Sequence, residues 1–154
     1  MLAFKTLVVL AMSLAALAAP APAEETVPAD RKNEYNLIFH YRSDVLKLPA
    51  LHYDAKLADN ALRTVKESNG QMVHKLFPGS FGQVLAPADK DAFESAFVGG
   101  WLCEKPDLPG LNGICKKYPG WTHVSTGHVD ILTSKSYSKI GCGWNAGIWG
   151  CDLA

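Results

Sequence analysis

A chain of 154 residues is long enough for one domain with a hydrophobic core, and its 15 basic and 15 acidic side chains balance. This balance excludes the strongly basic character typical of proteins that bind nucleic acid or anionic membranes, so we expect neither as a partner. The four cysteines, an even number, suit two disulfides, and no CxxC pair indicates a structural zinc site.

Residues 1–18 have the pattern of a secretory signal peptide. Lys5 supplies the positive charge, residues 7–17 form the apolar run, and Ala16-Leu17-Ala18 offers a cleavage site between small residues. The run is shorter than the roughly 20 residues of a membrane span, and no later stretch approaches that length. We therefore expect a secreted, extracellular protein that starts after Ala18 or, at a second candidate site, after Ala23. Residues 19–30, which are mostly Pro, Ala and Glu, predict a flexible leader.

The apolar spacing predicts three helices. Residues 31–45 carry Tyr35, Ile38 and Phe39 on one stripe. A second helix follows Asp54, a predicted N-cap, and stops at Asn69-Gly70. Its predicted buried face consists of Leu57, Ala58, Ala61, Leu62 and Val65. A third helix is predicted from Asp89, as N-cap, to about Cys103, because Phe93, Phe97 and Trp101 recur every fourth residue.

The remainder predicts strands at about 127–134, 139–144 and 148–153. A two-residue turn at Ala146-Gly147 would place Cys142 opposite Cys151, with Trp144 opposite Trp149 and Ile140 opposite Leu153. Asn-Gly is the usual sequence for such a turn, and a three-residue loop would leave the cysteines diagonal. We favour the first register because three pairs agree on it. Three glycines then line the opposite face and leave room for another element to pack close: Gly141, Gly143 and Gly150.

The same register sets the predicted disulfides. Cys142 and Cys151 fall within bridging distance, and Cys103 and Cys115 bracket a loop rich in proline and glycine. We predict the pairs Cys103–Cys115 and Cys142–Cys151, one of three connectivities that four cysteines allow.

Three motifs carry a resemblance to a known family. They are Trp101-x-x-Glu104, the pair Gly127-His128, and Ile140-Gly141-Cys142-Gly143 followed by Cys151. This layout resembles the CAP superfamily of cysteine-rich secretory proteins, antigen 5 and pathogenesis-related type 1 proteins. The resemblance implies an α+β fold for residues 31–154, an α-β-α sandwich with helices around a small antiparallel sheet.

The resemblance also implies a central cleft with two histidines and two acidic residues. The matching positions here are His74, Gln83, Glu104 and His128. Gln83 stands where the family has a glutamate, which removes one negative charge; an amide can orient a histidine but cannot act as a base. Asp130, two residues after His128 on the predicted strand, replaces that charge if it faces the cleft.

Two chemistries fit these residues. His74, His128 and Glu104 resemble a His₂Glu site for Zn²⁺, the one candidate cofactor, whereas a hydrogen-bonded polar cleft without metal is the alternative. Nucleophilic catalysis has little support, since no Gly-x-Ser-x-Gly motif and no unpaired cysteine occur. We expect a protein that is not an enzyme.

Three functions remain open. The family implies a binding protein for a small apolar ligand, a sterol or a fatty acid, and we expect it to be a monomer. An apolar loop supports the binding function: Leu102, Leu108, Leu111, Ile114 and Tyr118. A zinc-dependent hydrolase using His74, His128 and Glu104 is the second function. The third is a scaffold, an effector or antigen whose loops bind an extracellular protein partner.

Overall fold

The computed structural model describes residues 24–154, so the predicted signal peptide and both cleavage sites lie outside the described residues. No helix in residues 24–154 has the length and apolar character needed to cross a membrane. The regular helices are α1 (Lys32–Phe39), α2 (Ala55–Glu67) and α3 (Gly127–Thr133). The strands are β1 (His52–Tyr53), β2 (Gly82–Pro87), β3 (Lys139–Asn145) and β4 (Ile148–Leu153).

Wider and tighter helical segments complete the chain. A π-helical segment, His40–Val45, continues α1. The predicted third helix is present as a π-helical segment, Ser95–Trp101, followed by a 3₁₀ turn, Leu102–Glu104. We call these two segments together the aromatic helix. Asp89, the predicted N-cap, makes no capping hydrogen bond with its side chain. Short 3₁₀ turns lie at Ala29–Arg31, Lys90–Ala92 and Ile114–Lys117.

The four strands form one mixed sheet in the order β1-β3-β4-β2. The two pairs β3–β4 and β4–β2 are antiparallel, as in the expected small antiparallel sheet, and the two-residue strand β1 adds to its edge parallel to β3. The chain passes from β1 through α2, β2, the aromatic helix and α3 before β3 pairs with β1. The predicted hairpin register is confirmed, with Cys142 opposite Cys151 and Trp144 opposite Trp149.

The hairpin turn uses a residue that rarely adopts its conformation. Ala146 has φ 48° and Gly147 has φ 81°, which is the left-handed geometry of a two-residue turn. The cross-strand contacts between the aromatic, aliphatic and cysteine pairs therefore outweigh the cost of a left-handed alanine.

Helices cover both faces of the sheet, as the predicted sandwich requires. One face packs against α2, and a Cβ placed on Gly141 would lie 2.0 Å from the Ala58 backbone nitrogen. The glycines therefore set the close contact that the sequence predicted. The opposite face belongs to the main core, where α1 and the aromatic helix pack against the sheet. Its large buried side chains include Tyr35, Ile38, Phe93, Phe97, Trp101 and, on β4, Trp149.

Helix α2 follows its sequence signals. Asp54 accepts a hydrogen bond from the Leu57 N–H at 2.9 Å, which confirms the predicted N-cap. Asn69 and Gly70 then take positive φ values of 48° and 81°, which end the helix.

Both predicted disulfides are present, Cys103–Cys115 and Cys142–Cys151. The first closes the loop after the aromatic helix. The apolar side chains of this loop point into the protein, because Leu111 is buried and Leu108 and Ile114 pack against the main core. They therefore contribute to the core.

The predicted strand at 127–134 is wrong, because this segment is helix α3. Val, Ile and Thr favour strands by intrinsic preference. Val129 and Leu132, three residues apart, are nevertheless the buried residues of this segment, which is a helical spacing. The Val129 N–H also donates to the Glu104 carboxylate, which satisfies one free donor of the first helical turn.

The described part of the predicted leader contacts the body of the protein. Val27 packs against the main core. The Glu24 carboxylate lies 3.0 Å from His52 Nδ1, and Glu25 accepts a hydrogen bond from the Ala55 N–H at the start of α2.

Candidate functional site

His74 lies in the loop that follows α2 and faces Gln83 on β2. Its Nδ1 is 3.0 Å from Gln83 Oε1. An amide oxygen only accepts hydrogen bonds, so Nδ1 carries the proton and donates. The other ring nitrogen, Nε2, then keeps its lone pair in the neutral imidazole.

Two backbone groups of Lys75 fix which end of the Gln83 amide is the oxygen, because a backbone N–H can only donate and a carbonyl oxygen can only accept. Its Oε1 accepts the Lys75 N–H at 3.1 Å, and its Nε2 donates to the Lys75 carbonyl at 3.0 Å. Nε2 also donates to Thr64 Oγ1 at 3.2 Å and to Asp152 Oδ1 at 2.8 Å. The amide therefore presents its oxygen to His74, in agreement with the expectation that Gln83 can orient a histidine.

His128 lies in the first turn of α3 and pairs with Glu104 at the end of the aromatic helix. Its Nδ1 is 2.6 Å from Glu104 Oε1, while Glu104 Oε2 accepts the Val129 N–H at 2.9 Å. The Glu104 side chain is only 4% exposed, and the two contacts occupy both of its oxygens. His128, like His74, is thus held through Nδ1 and keeps Nε2 free.

The two histidines meet across the cleft. Their ring centroids are 6.5 Å apart with an interplanar angle of 30°, and the Trp101 ring lies 6.4 Å from His128. The structure therefore brings together the four residues that the family resemblance implies, as one His–Gln pair and one His–Glu pair.

Two carboxylates near the cleft have partners of their own. Asp130 is exposed and bonds to Lys105 and Thr126, since on a helix it does not share the face of His128. Glu104 accepts from His128 and from the Val129 N–H. In residues 24–154, no group of three or more His, Cys, Asp or Glu side chains is placed to hold a metal ion.

Asp152 was not among the residues predicted from the sequence. This aspartate lies on β4, is fully buried, and accepts hydrogen bonds from Gln83 Nε2 and from Ser80 Oγ, the latter at 2.6 Å. Burial raises the pKa of its carboxyl group, and the two hydrogen bonds act in the opposite direction. A carboxylate inside a predicted buried strand needs polar partners, and this signal could have identified it.

Two adjacent cavities open at the histidine pair and share Ser125 and His128. One has a volume of about 510 Å³ and is lined by His74 and Gln83 with Leu76 and Phe81. The other has a volume of about 360 Å³. Its wall includes Met72, Trp101, Glu104, Trp121 and Val124.

A loop, residues 120–126, forms part of the wall of the second cavity and is anchored at two points. Trp121 packs on Gly99 and Gly100, where added side chains would clash with it. His123 Nε2 lies 2.8 Å from the Gly99 carbonyl oxygen. The loop tip, Val124, is 95% exposed.

Solved structures share this arrangement of helices and strands. Venom allergen-like protein 4 of Schistosoma mansoni matches with a TM-score of 0.55 at 18% identity, over 83% of this chain and 89% of that chain. The structure of NaASP2 with Zn²⁺ matches with a TM-score of 0.54 at 17% identity, over 80% of this chain and 78% of that chain. MpPR-1i matches with a TM-score of 0.53 at 17% identity, over 83% and 93%.

The chain has the CAP fold. Comparison of the sequence with protein-family models and with curated proteins gave no match. At identities of 17–18%, the likeness establishes the fold alone. The chemistry of this CAP domain therefore depends on its own side chains.

Proposed function

We propose that this CAP-fold protein is secreted and not catalytic, and that it binds a small apolar ligand, a fatty acid or a sterol, in the cleft between His74 and His128. One observation carries the proposal. Five large apolar side chains are exposed in the described part of the chain, and four of them, Met72, Leu76, Phe81 and Val124, line the two cleft cavities.

The energetic argument is the hydrophobic effect. Phe81 is 71% exposed and Leu76 is 51% exposed at the rim of the first cavity. Covering apolar surface stabilises a complex by about 25 cal/mol per Å². Exposed apolar groups gathered at a cavity mouth mark a binding site more often than isolated ones do. The polar floor of the cavity, formed by the histidines, then offers partners for a carboxylate or hydroxyl head group.

Two variants with matched exposure test the proposal. Leu76 and Val73 are both 51% exposed, but only Leu76 lines a cleft cavity. We expect palmitate or cholesterol to raise the melting temperature of the wild type and of Val73→Ser. Leu76→Ser should weaken ligand binding several-fold, measured by a fluorescent fatty-acid displacement assay.

The proposal fails if neither ligand shifts the melting temperature, or if both serine variants behave alike. In the first case the scaffold function, with loops that bind an extracellular protein, becomes the better explanation.

Secretion is proposed from the signal-peptide pattern of residues 1–18 and from two disulfides, which persist in oxidising compartments. Mass measurement of the protein released by a secreting host should give a chain that starts at Ala19 or Glu24. An uncleaved chain that is retained in the cell would contradict it.

Binding of Zn²⁺ at His74 and His128 is a second candidate function. One observation favours it. His74 Nδ1 contacts Gln83 and His128 Nδ1 contacts Glu104, so the Nε2 atom of each histidine is left as a possible zinc ligand. Such outer partners fix the tautomer of zinc-binding histidines. Water or a bound head group would have to complete the coordination. The fold is shared with a protein whose structure is of its complex with Zn²⁺.

Hydrolysis by such a zinc site has less support. A metal-assisted hydrolase needs a base beside the metal-bound water. The two Glu104 oxygens are engaged, and Gln83 cannot accept a proton in this role. We therefore propose zinc binding without catalysis.

Titration with ZnCl₂ tests the second candidate. We expect one zinc per chain in the wild type and loss of binding in His74→Ala and in His128→Ala. His40→Ala is the control, because His40 is exposed and pairs with Asp44 outside the cleft. Zinc bound equally by all four proteins would exclude the cleft as the site.

A further inference from the structure

Asp152 is a buried carboxyl group that forms no ion pair with another described residue. Its relative exposure is 0%, and no Lys, Arg or His nitrogen of the described residues lies within ion-pair distance of it. Its two contacts, the Ser80 hydroxyl and the Gln83 amide N–H, both donate to it, as suits an ionised carboxylate that only accepts. A buried carboxylate of this kind is costly unless a positive charge lies near.

A short chain of hydrogen bonds connects this carboxylate with the cleft. Gln83 Nε2 donates to Asp152 Oδ1 at 2.8 Å, and His74 Nδ1 donates to Gln83 Oε1 at 3.0 Å. His74 lines the 510 Å³ cavity. Asp152 is thus two hydrogen bonds away from the imidazole that faces the cleft.

We propose that Asp152 is a positioning residue of the cleft, which acts through Gln83 to hold His74 with its proton on Nδ1 and its Nε2 ready for a cation. The inference rests on the second candidate function, Zn²⁺ binding at His74 and His128. A carboxylate that accepts the amide N–H makes the amide oxygen a stronger acceptor, because hydrogen bonds in a chain polarise one another. The Nδ1–H tautomer of His74 is stabilised in this way.

Each histidine of the cleft is then linked to one carboxylate. His128 contacts the Glu104 carboxylate directly, whereas His74 reaches the Asp152 carboxylate through an amide. Together the two carboxylates match the charge of a divalent cation between the histidines. Asp152 therefore supplies the negative charge that Gln83 lacks.

The network behind Asp152 holds it in place. Asn60 Nδ2, on α2, donates to Ser80 Oγ at 2.9 Å, and Ser80 in turn donates to Asp152 Oδ2. The carboxylate is thus held between the helix layer and the sheet, and its distance from Gln83 is set by the fold.

Zinc titration of four variants tests this role. Asp152→Asn is nearly isosteric and should weaken Zn²⁺ binding about 10-fold or more, the effect of losing an outer partner of a metal-binding histidine. Asp130→Asn, which removes an exposed carboxylate that bonds to Lys105, should leave the affinity unchanged. In a Gln83→Ala background, Asp152→Asn should have little further effect, since the two residues act in series.

A second readout needs no metal. ¹⁵N NMR of the imidazole nitrogens should show His74 with its proton on Nδ1 in the metal-free wild type, and a larger Nε2–H fraction in Asp152→Asn. If Asp152→Asn does not fold, Ser80→Ala removes one of the two donors to Asp152 and should shift both readouts in the same direction by a smaller amount.

The outcomes separate the two proposals. If the wild type binds no zinc, the second candidate function fails, and the His74 tautomer alone tests the role of Asp152. An unchanged tautomer in Asp152→Asn then overturns the inference, and a larger Nε2–H fraction supports it. If the wild type binds zinc, equal affinities for the Asp152→Asn and Asp130→Asn variants overturn it. An undiminished effect of Asp152→Asn in the Gln83→Ala background also overturns it, because Asp152 would then not act through Gln83.

Discussion

Glu104 illustrates how a single buried carboxylate organises the cleft. One oxygen holds His128 through Nδ1, and the other accepts the Val129 N–H in the first turn of α3. The same side chain therefore sets the tautomer of the histidine and stabilises the start of the helix that carries it. A negative charge at a helix start is also favoured by the helix dipole.

Glu104→Gln should reverse the roles at His128 without breaking the contacts. The glutamine oxygen can accept the Val129 N–H, and its amide N–H can donate to His128 Nδ1. His128 would then carry its proton on Nε2 and lose its free lone pair on the cleft side. We expect ¹⁵N NMR to show the Nε2–H tautomer, and zinc affinity to fall, while the free energy of unfolding changes by less than about 2 kcal/mol.

Glu94→Gln is the control for this experiment, because Glu94 accepts a hydrogen bond from the Tyr118 hydroxyl and does not line the cleft. It should leave the His128 tautomer unchanged. A Glu104→Gln protein that keeps the Nδ1–H tautomer would show that Glu104 does not set it.

At the scale of elements, the position of α2 against the sheet depends on glycine. A Cβ on Gly141 would lie 2.0 Å from the Ala58 nitrogen and 2.4 Å from the Leu57 carbonyl carbon, which are backbone atoms of α2. The helix also carries Thr64 and Asn60, which contact the network around Gln83 and Asp152. A shift of α2 therefore affects both the core and the cleft.

Gly141→Ala should destabilise the protein by about 1–3 kcal/mol or more, because α2 must move away from β3 to admit the methyl group. Gly127→Ala is the matched control, since a Cβ there meets no atom closer than 3.9 Å. Urea unfolding should show a lower midpoint only for Gly141→Ala. Equal midpoints for the two variants would mean that the layers can separate without cost.

At the scale of the whole molecule, the two disulfides lie in different surroundings. Cys142–Cys151 joins two paired strands inside the core, where the cysteines are 1% and 0% exposed. Cys103–Cys115 closes a surface loop of turns, and Cys115 is only partly buried. Access of an attacking thiolate therefore differs between the two.

Mild reduction of the native protein should open Cys103–Cys115 before Cys142–Cys151. Alkylation followed by peptide mass spectrometry measures the order, and reduction in denaturant, where both bonds are accessible, is the control. Simultaneous reduction under native conditions would indicate that the whole domain opens at once.

The sequence by itself determined the features that depend on local spacing. Apolar residues at helical intervals predicted α1 and α2, a capping aspartate predicted the start of α2, and alternation along two strands predicted the register of Cys142 with Cys151. These signals are reliable because each depends on neighbouring residues of one element. The four cleft positions came from motifs, and their predicted proximity is matched by the structure.

Only the tertiary structure decided the rest. Residues 127–133 favour a strand by composition but fold as α3, because Val129 and Leu132 are buried at helical spacing and Glu104, 25 residues away from Val129, accepts a hydrogen bond at the helix start. A second long-range contact of Glu104 holds His128 through its Nδ1 atom. Asp152 reached Gln83 across 69 residues of sequence. Hydrogen bonds between distant residues leave no periodic signal in a sequence, since they depend on how the layers pack.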